Sequence, residues 1–433
     1  MRRIVLIAFV LGCRSGSAPP PPRDAAAPHA PAPADAAPAA PPPKDPGAAT
    51  VVQPCPGSDE PGPPPEHDQL TLTRARFADL PSWRDDHHAQ AVPSFLRSCE
   101  KIAALKDGEP VGSDGHGGLA KQWRRACVAA AKLKAGDDAA ARAMFEAEFT
   151  PYQAAGKAGP DGKLTGYNVT EVRASRTRHG KYQTPVYGRP PDLVMVDLSL
   201  HIRDAHGRRI WGRLDDKGAV VPYPTRAEIR KGALAGKNLE IVYLDDPVDL
   251  LFAQIEGSAK AKLDDGKTIW LEFAGKNGRA YRGVGGVLKA MGELSAPGSG
   301  TMQGIRKWFV DHPGRYDEVV DQVHSFVFFK ESTLAGAVGT QMVVLTPQRS
   351  MAVDRAFIAL GTPVWVDTKA PIPNATGSAP FRQLLIAQDT GAGIQGAVRG
   401  DIYWGDDAEA ADRGGRMGTT GRYWVLLPNG VTK

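Results

Sequence analysis

Apolar positions in the second half of the chain come in short runs broken by Gly, Pro and Asp. They are Leu193 to Ile202, Leu239 to Tyr243, Ile269 to Phe273, Phe326 to Phe329, Met342 to Leu345, Val364 to Val366, Leu384 to Ala387 and Tyr423 to Leu427. Runs of this length, rich in β-branched and aromatic residues, predict strands. Two helices interrupt them, at about Val284 to Leu294 and Met302 to Asp311. Upstream, from Phe77 to about Phe149, the period changes to a helical one: Phe95, Leu96, Cys99, Ile102 and Leu105 share one face, and Trp123, Cys127, Ala130 and Leu133 share another. Gly136-Asp137 opens a third helix carrying Met144, Phe145 and Phe149. Strands that do not alternate regularly with long helices argue for barrels rather than a doubly wound sheet. The expected class is mainly β with helical additions.

The first 66 residues follow neither pattern. Arg2 and Arg3 precede an apolar run, Ile4 to Leu11, that is too short to span a bilayer and reads as the core of a signal peptide over residues 1–12. It ends in Val10-Leu11-Gly12-Cys13, which resembles a bacterial lipoprotein processing box. Cleavage before Cys13 makes that thiol the lipidation site, and a diacylglycerol plus an N-acyl chain exceed the two signals that stable anchoring needs. Arg14, in place of Asp, points to the outer membrane, so the expected location is its periplasmic face. Residues 13–66 are dominated by Pro and Ala and form a disordered tether.

Charge and cysteines narrow the chemistry. A net charge of +5 spread over 433 residues does not imply nucleic acid. Four cysteines without a CxxC pair describe neither a disulfide scaffold nor a zinc site. Cys99 and Cys127 face a shared core from consecutive helices, so a bridge is expected there, with two buried thiols as the alternative; Cys55 has no obvious partner. Asp85-Asp86-His87-His88 is rejected as a metal site, because neighbours in a helix point to different faces and no third ligand cluster follows. Gly283-Val284-Gly285-Gly286 lacks dinucleotide spacing and reads as close backbone packing. No metal and no cofactor are expected.

The candidate site is Gln388-Asp389-Thr390-Gly391-Ala392-Gly393-Ile394-Gln395-Gly396-Ala397-Val398-Arg399-Gly400-Asp401-Ile402-Tyr403-Trp404. Glycines let the backbone take positive φ and approach a ligand closely. An acid held against Ile402, Tyr403 and Trp404 has its pKa raised by desolvation. The stretch resembles the signature of the three-aspartate domain, a double-psi β-barrel of the membrane-bound lytic transglycosylase A family. Further matches are Leu164-Thr165-Gly166-Tyr167 with Tyr187-Gly188-Arg189-Pro190-Pro191, Asp246-Pro247-Val248-Asp249 with Gln254-Ile255-Glu256-Gly257-Ser258, Gly275-Lys276-Asn277-Gly278-Arg279-Ala280-Tyr281-Arg282, and Val353-Asp354-Arg355. The chain departs from the family pattern at Asn168, Val169 and Thr170, at Glu256, where Gln is usual, and at Val323-His324.

The resemblance implies an architecture and a reaction. A helical part over 67–164 packs on the catalytic domain, a second β-barrel-like domain is inserted at 165–323, and the three-aspartate barrel occupies 324–433, with the glycan in the groove between the barrels. Family members cleave the β-1,4 bond between N-acetylmuramic acid and N-acetylglucosamine without water, leaving a 1,6-anhydro ring. The catalytic Asp of the family precedes a hydrophobic-aromatic pair, which makes Asp401 the acid and then the base here. Asp389 and Asp354 take supporting roles, and Tyr167, Gln254, Lys276, Asn277 and Tyr281 are the expected sugar contacts. The implied partners are peptidoglycan glycan strands, the membrane through the lipid anchor, and, as candidates, cell-wall synthesis or division proteins. Two other readings stay open: a wall-binding or wall-loosening protein that cleaves nothing, since barrels of this kind also occur in expansin-like proteins, and an aspartic protease using Asp389 and Asp401, whose paired partner motif is missing.

Overall fold

A computed structural model of the chain describes residues 68–431 apart from 113–115, 203–208, 297 and 392. The signal peptide, Cys13, Cys55 and the tether lie outside the described residues. Strands β1 (Thr71–Arg74), β2 (Phe149–Ala155) and β3 (Gly162–Tyr167) come first. They are followed by β4 (Thr170–Ser175), β5 (Thr184–Tyr187), β6 (Val194–Asp197), β7 (Arg209–Leu214), β8 (Val220–Val221), β9 (Glu240–Leu244), β10 (Ser258–Leu263), β11 (Thr268–Lys276) and β12 (Val327–Glu331). The chain ends in β13 (Ser350–Val353), β14 (Pro363–Pro371), β15 (Ser378–Asp389), β16 (Arg399–Tyr403) and β17 (Gly418–Pro428).

The first three and last five strands make one sheet, in which β3, β16, β13, β15, β14 and β17 close into a ring because β17 also pairs with β3. Two ring pairings, β3 with β16 and β13 with β15, are parallel, and the others are antiparallel. Closure removes the open edges that a sheet otherwise has to protect. It also explains the unbroken apolar runs. Leu385 and Ala387 point into the ring while Leu384 and Ile386 point out against helices, and Tyr423, Val425 and Leu427 alternate in the same way with Trp424 and Leu426. A strand covered on both faces has no polar side to show.

The outer cover is three helices, α1 (Val92–Ala103), α2 (Ala120–Ala130) and α3 (Asp138–Glu148), the last capped by Asp137, which accepts from the Ala140 N–H at 2.9 Å. Phe95, Trp123, Phe145 and Phe149 fill the layer between these helices and the barrel. A disulfide joins Cys99 to Cys127, with Cα atoms 5.6 Å apart and a sequence separation of 28; a loop of that length is worth roughly 3 to 4 kcal/mol on the chain-entropy account. Asp86 and His88, from the segment considered for metal, serve this layer: Asp86 pairs with Arg349, and His88 packs against Trp83 and Trp365.

Between β3 and β13 lies the second sheet, ordered β12-β11-β10-β4-β9-β5, and a bridge between Gly188 and Phe329 brings its two edges together. Helices Pro247–Glu256, Val284–Ala290, Met302–Asp311 and Tyr316–Val320 form a core of their own beside it around Leu251, Phe252, Leu288 and Phe309.

The sequence reading is corrected at several elements. Pro247–Glu256 is a helix, started by Asp246, whose side chain accepts from the Val248 N–H, and stopped by Gly257 at φ 77; its buried run lacks a polar face, which hid the period. Ala408–Arg416 is also helical. Met342 to Leu345 is not a strand, since Met342 sits at φ 59 and turns the chain. The run from Leu193 is a strand only over Val194–Asp197. β1 and β2 lie inside the segment read as helical, where short or half-polar strands left no run to see.

Candidate active site

The site stands on the outside of the ring, on the face turned to the inserted sheet. In β16 the inward Ile402 alternates with the outward Asp401 and Tyr403. Cross-strand register then brings the acids together. Ala352 of β13 is paired with Asp401 on one side and, past an irregularity in register, with Asp389 on the other, so the two carboxyls flank one small, buried side chain.

Asp401 accepts a hydrogen bond from Thr165 Oγ1 at 2.6 Å, the cross-strand neighbour in β3. Burial pushes its carboxyl up to about 6; Thr165, Arg399 and Lys163 pull it down and the Asp389 charge adds to the rise. Asp389 is more fully held. Its Oδ1 accepts from the Thr340 N–H at 2.8 Å, Thr340 Oγ1 at 2.9 Å and the Thr390 N–H at 2.8 Å, and its Oδ2 from the Tyr167 hydroxyl at 2.9 Å. Burial still raises its pKa, with these donors opposing. Asp354, just past β13, accepts from Ala356 N–H at 3.0 Å and from Gly396 N–H at 2.8 Å. Gly396 has φ 120, a conformation open to glycine, and Ala397 next to it donates to Asp68 at 2.6 Å. Asp354 therefore pins the glycine-rich loop in place.

Across the groove, Trp270 of β11 packs against the buried cluster that includes Tyr167, Ala352 and Tyr403, and the Tyr167 and Tyr403 rings lie 5.3 Å apart. Lys260 reaches from β10 to Asp406 at 2.8 Å, and the Val169 N–H donates to the Gly405 carbonyl at 2.9 Å. These contacts set the inserted sheet against the barrel face that carries the acids. The structure also brings in Glu256, which sequence reasoning treated only as a departure from a pattern. Burial raises its carboxyl well above the ordinary range, and the charges of Asp401 and Asp389 add to the shift.

Other expected contacts divide. Tyr281 is exposed and within electrostatic reach of Glu256, and Lys276 ends β11 opposite Val327. Asn277 is corrected: it is fully buried, its amide donates to the Pro224 and His324 carbonyls at 2.9 Å each, and its oxygen accepts from the Arg279 and Phe326 N–H groups. Gln254 is corrected likewise, since its amide donates to the Val327 carbonyl at 2.9 Å and its oxygen accepts from buried Arg226. With these partners already bound, both residues hold irregular backbone. Thr165 and Thr340 were missed; a threonine, whether in strand β3 or in the turn at 340, carries no sequence mark of the carboxyl it faces. Among the described residues no cluster of His, Cys, Asp and Glu could hold a metal ion.

Comparison with known proteins places this arrangement. A family profile described as the MltA specific insert domain matches residues 163–330, and one described as the 3D domain matches residues 349–427. The membrane-bound lytic murein transglycosylase A of Escherichia coli K12 is 32% identical over 297 residues, 68% of this chain and 73% of that protein. The chain belongs to the membrane-bound lytic murein transglycosylase A family. A crystal structure of MltA from Neisseria gonorrhoeae superposes with a TM-score of 0.70 at 32% identity, covering 84% of this chain and 94% of the other. A structure of E. coli MltA with bound chitohexaose superposes with a TM-score of 0.60 at 26% identity, covering 82% and 94%. The mainly β architecture, a three-aspartate barrel with an inserted barrel-like sheet, is that of the family.

Proposed function

We propose that this lytic transglycosylase cleaves the β-1,4 bond between N-acetylmuramic acid and N-acetylglucosamine in peptidoglycan, with Asp401 acting first as acid and then as base. The observation that carries the reading is the state of Asp401. It is a half-buried carboxyl facing a groove, held by one hydroxyl, with a pKa of about 6. Near neutral pH such a group can both give and take a proton. Its proton goes to the glycosidic oxygen as the C1–O bond breaks. The resulting carboxylate takes the proton of the muramoyl C6 hydroxyl, whose oxygen bonds to C1 and closes the 1,6-anhydro ring. Asp401 ends as it began, and no water enters. Glycosidases that transfer the sugar to water ordinarily need two carboxyls flanking the bond.

Supporting roles follow from the hydrogen bonds. Asp389, with its oxygens filled by Thr340, Thr390 and Tyr167, is held in place beside Asp401. Asp354 fixes the loop, and Trp270, Tyr167, Lys276 and Tyr281 line the groove or its approach for glycan rings and polar groups. The chitohexaose complex of the E. coli relative supports a glycan in this groove. The relatives are named membrane-bound, and the anchor we infer here is lipid on Cys13, holding the enzyme at the periplasmic face of the outer membrane. Cys13→Ala protein should then leave the membrane fraction, and normal fractionation would remove the anchor. The reaction is tested by digesting purified peptidoglycan and identifying the products by mass spectrometry. Release of 1,6-anhydromuropeptides is expected; binding without that product would favour a wall-binding protein.

A further inference from the structure

The outer face of β3 and β16 carries more than the acid. The two strands run parallel and in register, Arg399 against Lys163, Asp401 against Thr165 and Tyr403 against Tyr167. Leu164, Gly400 and Ile402, which alternate with them, are buried, so the three pairs stand in a row on the outward side of the barrel. Each pair is about 7 Å from the next along the strands. The aromatic pair belongs to the cluster on which Trp270 of the insert packs, and the acid stands in the middle. At the other end is a pair of cations.

Like charges that face one another on adjacent strands repel, so a sheet shaped for stability alone has no use for this pair. No ion pair offsets it among the described residues. Arg399 donates from one guanidinium nitrogen to the Lys163 carbonyl at 3.4 Å and to the Gly400 carbonyl, and burial pulls its pKa down. Lys163 is exposed. The nearest acids are engaged elsewhere: Asp354 accepts from the Ala356 and Gly396 N–H groups, Asp161 pairs with Arg422 at 2.6 Å, and Asp401 takes the Thr165 hydroxyl. Thr420, which faces Lys163 from β17, is uncharged.

The pair lacks an anion, and the substrate carries one close to the bond that is cut. With Asp401 at the oxygen on C1 of the N-acetylmuramoyl ring, the substituent on C3 of the same ring lies one ring-width away. On a bare strand this substituent ends in a free lactyl carboxylate. On an intact strand that carboxyl is amide-linked, and the carboxylates belong to the stem peptide. A chain of N-acetylglucosamine has neither.

We propose that Lys163 and Arg399 form a carboxylate subsite beside Asp401, which takes an acidic group on the C3 substituent of the muramoyl ring and sets muramoyl strands apart from uncharged N-acetylglucosamine chains. The guanidinium offers a carboxylate a planar fork and the ammonium a movable point charge. No bond forms or breaks at the subsite; it holds the ring in register with the acid. The proposal rests on the scissile bond lying at Asp401.

Binding is measured by calorimetry on the full-length protein in detergent, in an Asp401→Asn background. Nothing is then cut, and no carboxyl remains at that position for a lost cation to retune. The ligands are chitohexaose, glycan strands stripped of their peptides, and strands with intact stems. Adding Lys163→Gln should weaken binding of a carboxylated strand about tenfold, as loss of a charge-assisted bond does, and of chitohexaose less than about twofold. Lys163→Arg should restore the affinity, and Arg399→Gln should repeat the pattern of Lys163→Gln. Loss on stripped strands assigns the lactyl carboxylate; loss confined to stemmed strands assigns a peptide carboxylate. Undiminished binding of both carboxylated strands, or an equal loss on chitohexaose, would overturn the subsite. The reading of the reaction fails separately: anhydro product from wild type with no change of affinity in Lys163→Gln leaves Asp401 as the acid and removes the subsite, whereas carboxylate selectivity in a wild type that releases no anhydro product keeps the subsite and removes the reaction.

Discussion

Two carboxyl groups outside one barrel, one under the helical layer and one facing the insert, meet opposite fates. Asp86 lies under the helical layer with its side chain 2% exposed. It receives the Arg349 guanidinium through two bonds of 2.8 and 2.9 Å and the Leu384 N–H at 3.0 Å. Asp401 faces the insert and receives one hydroxyl, with Arg399 and Lys163 acting only through their fields. A carboxylate whose charge is cancelled by a buried guanidinium and whose oxygens are filled serves to hold parts together. Asp86 does this for Arg349, which leads directly into β13, the strand between the two site acids. A carboxyl that is buried but left nearly alone keeps its proton within reach of chemistry.

Exchanging each acid for a neutral group should therefore move different observables. The largest effect is expected for Asp401→Asn. Loss of both proton transfers should lower anhydro-product release by about 10⁴ or more, the upper end of general acid–base help. The same change should leave the protein more stable than wild type at pH 7, because the raised Asp401 pKa makes the wild type lose stability as pH climbs from the unfolded value of 3.8 through about 6. Thermal unfolding at pH 4 and pH 7 reads this directly, and a destabilised Asp401→Asn at pH 7 would break the contrast.

Asp86→Ala should do the reverse. It leaves Arg349 buried without its counter-charge, at a cost of roughly 3 to 5 kcal/mol in denaturant unfolding, while the folded fraction still cuts glycan. The smallest effect belongs to Thr165→Val. Removing the one hydroxyl that favours the charged form raises the Asp401 pKa further, so the alkaline limb of kcat/KM should move to higher pH with less than about tenfold change in the maximum. A limb that moved down would mean Thr165 stabilises the acid form instead.

What could be read from sequence tracks how local each constraint is. The Asp389 to Trp404 stretch is legible because its glycines and its acid-aromatic ending lie within one loop and strand. The α1 and α2 faces carrying Cys99 and Cys127 are legible because helical period is a short-range signal. Glu256 was not, since an acid at the end of a helix is ordinary until the fold sets it against Asp401 and Asp389. Asn277 and Gln254 misled for the same reason from the other side. An amide in a polar loop looks free for a ligand, and only the structure shows carbonyls from Pro224, His324 and Val327 already using it. The Pro247–Glu256 helix was hidden by burial on all sides, which erases the period that burial on one side creates.

The ring closes only through strands drawn from distant parts of the chain, and Thr165 and Asp401, which meet in it, are 236 residues apart. A chain that stops before Arg399–Tyr403 lacks the acid, and one that stops before Gly418–Pro428 lacks the strand that completes the barrel. For an enzyme that cuts peptidoglycan, the acid and the closed barrel are thus present together only when both of these late strands are.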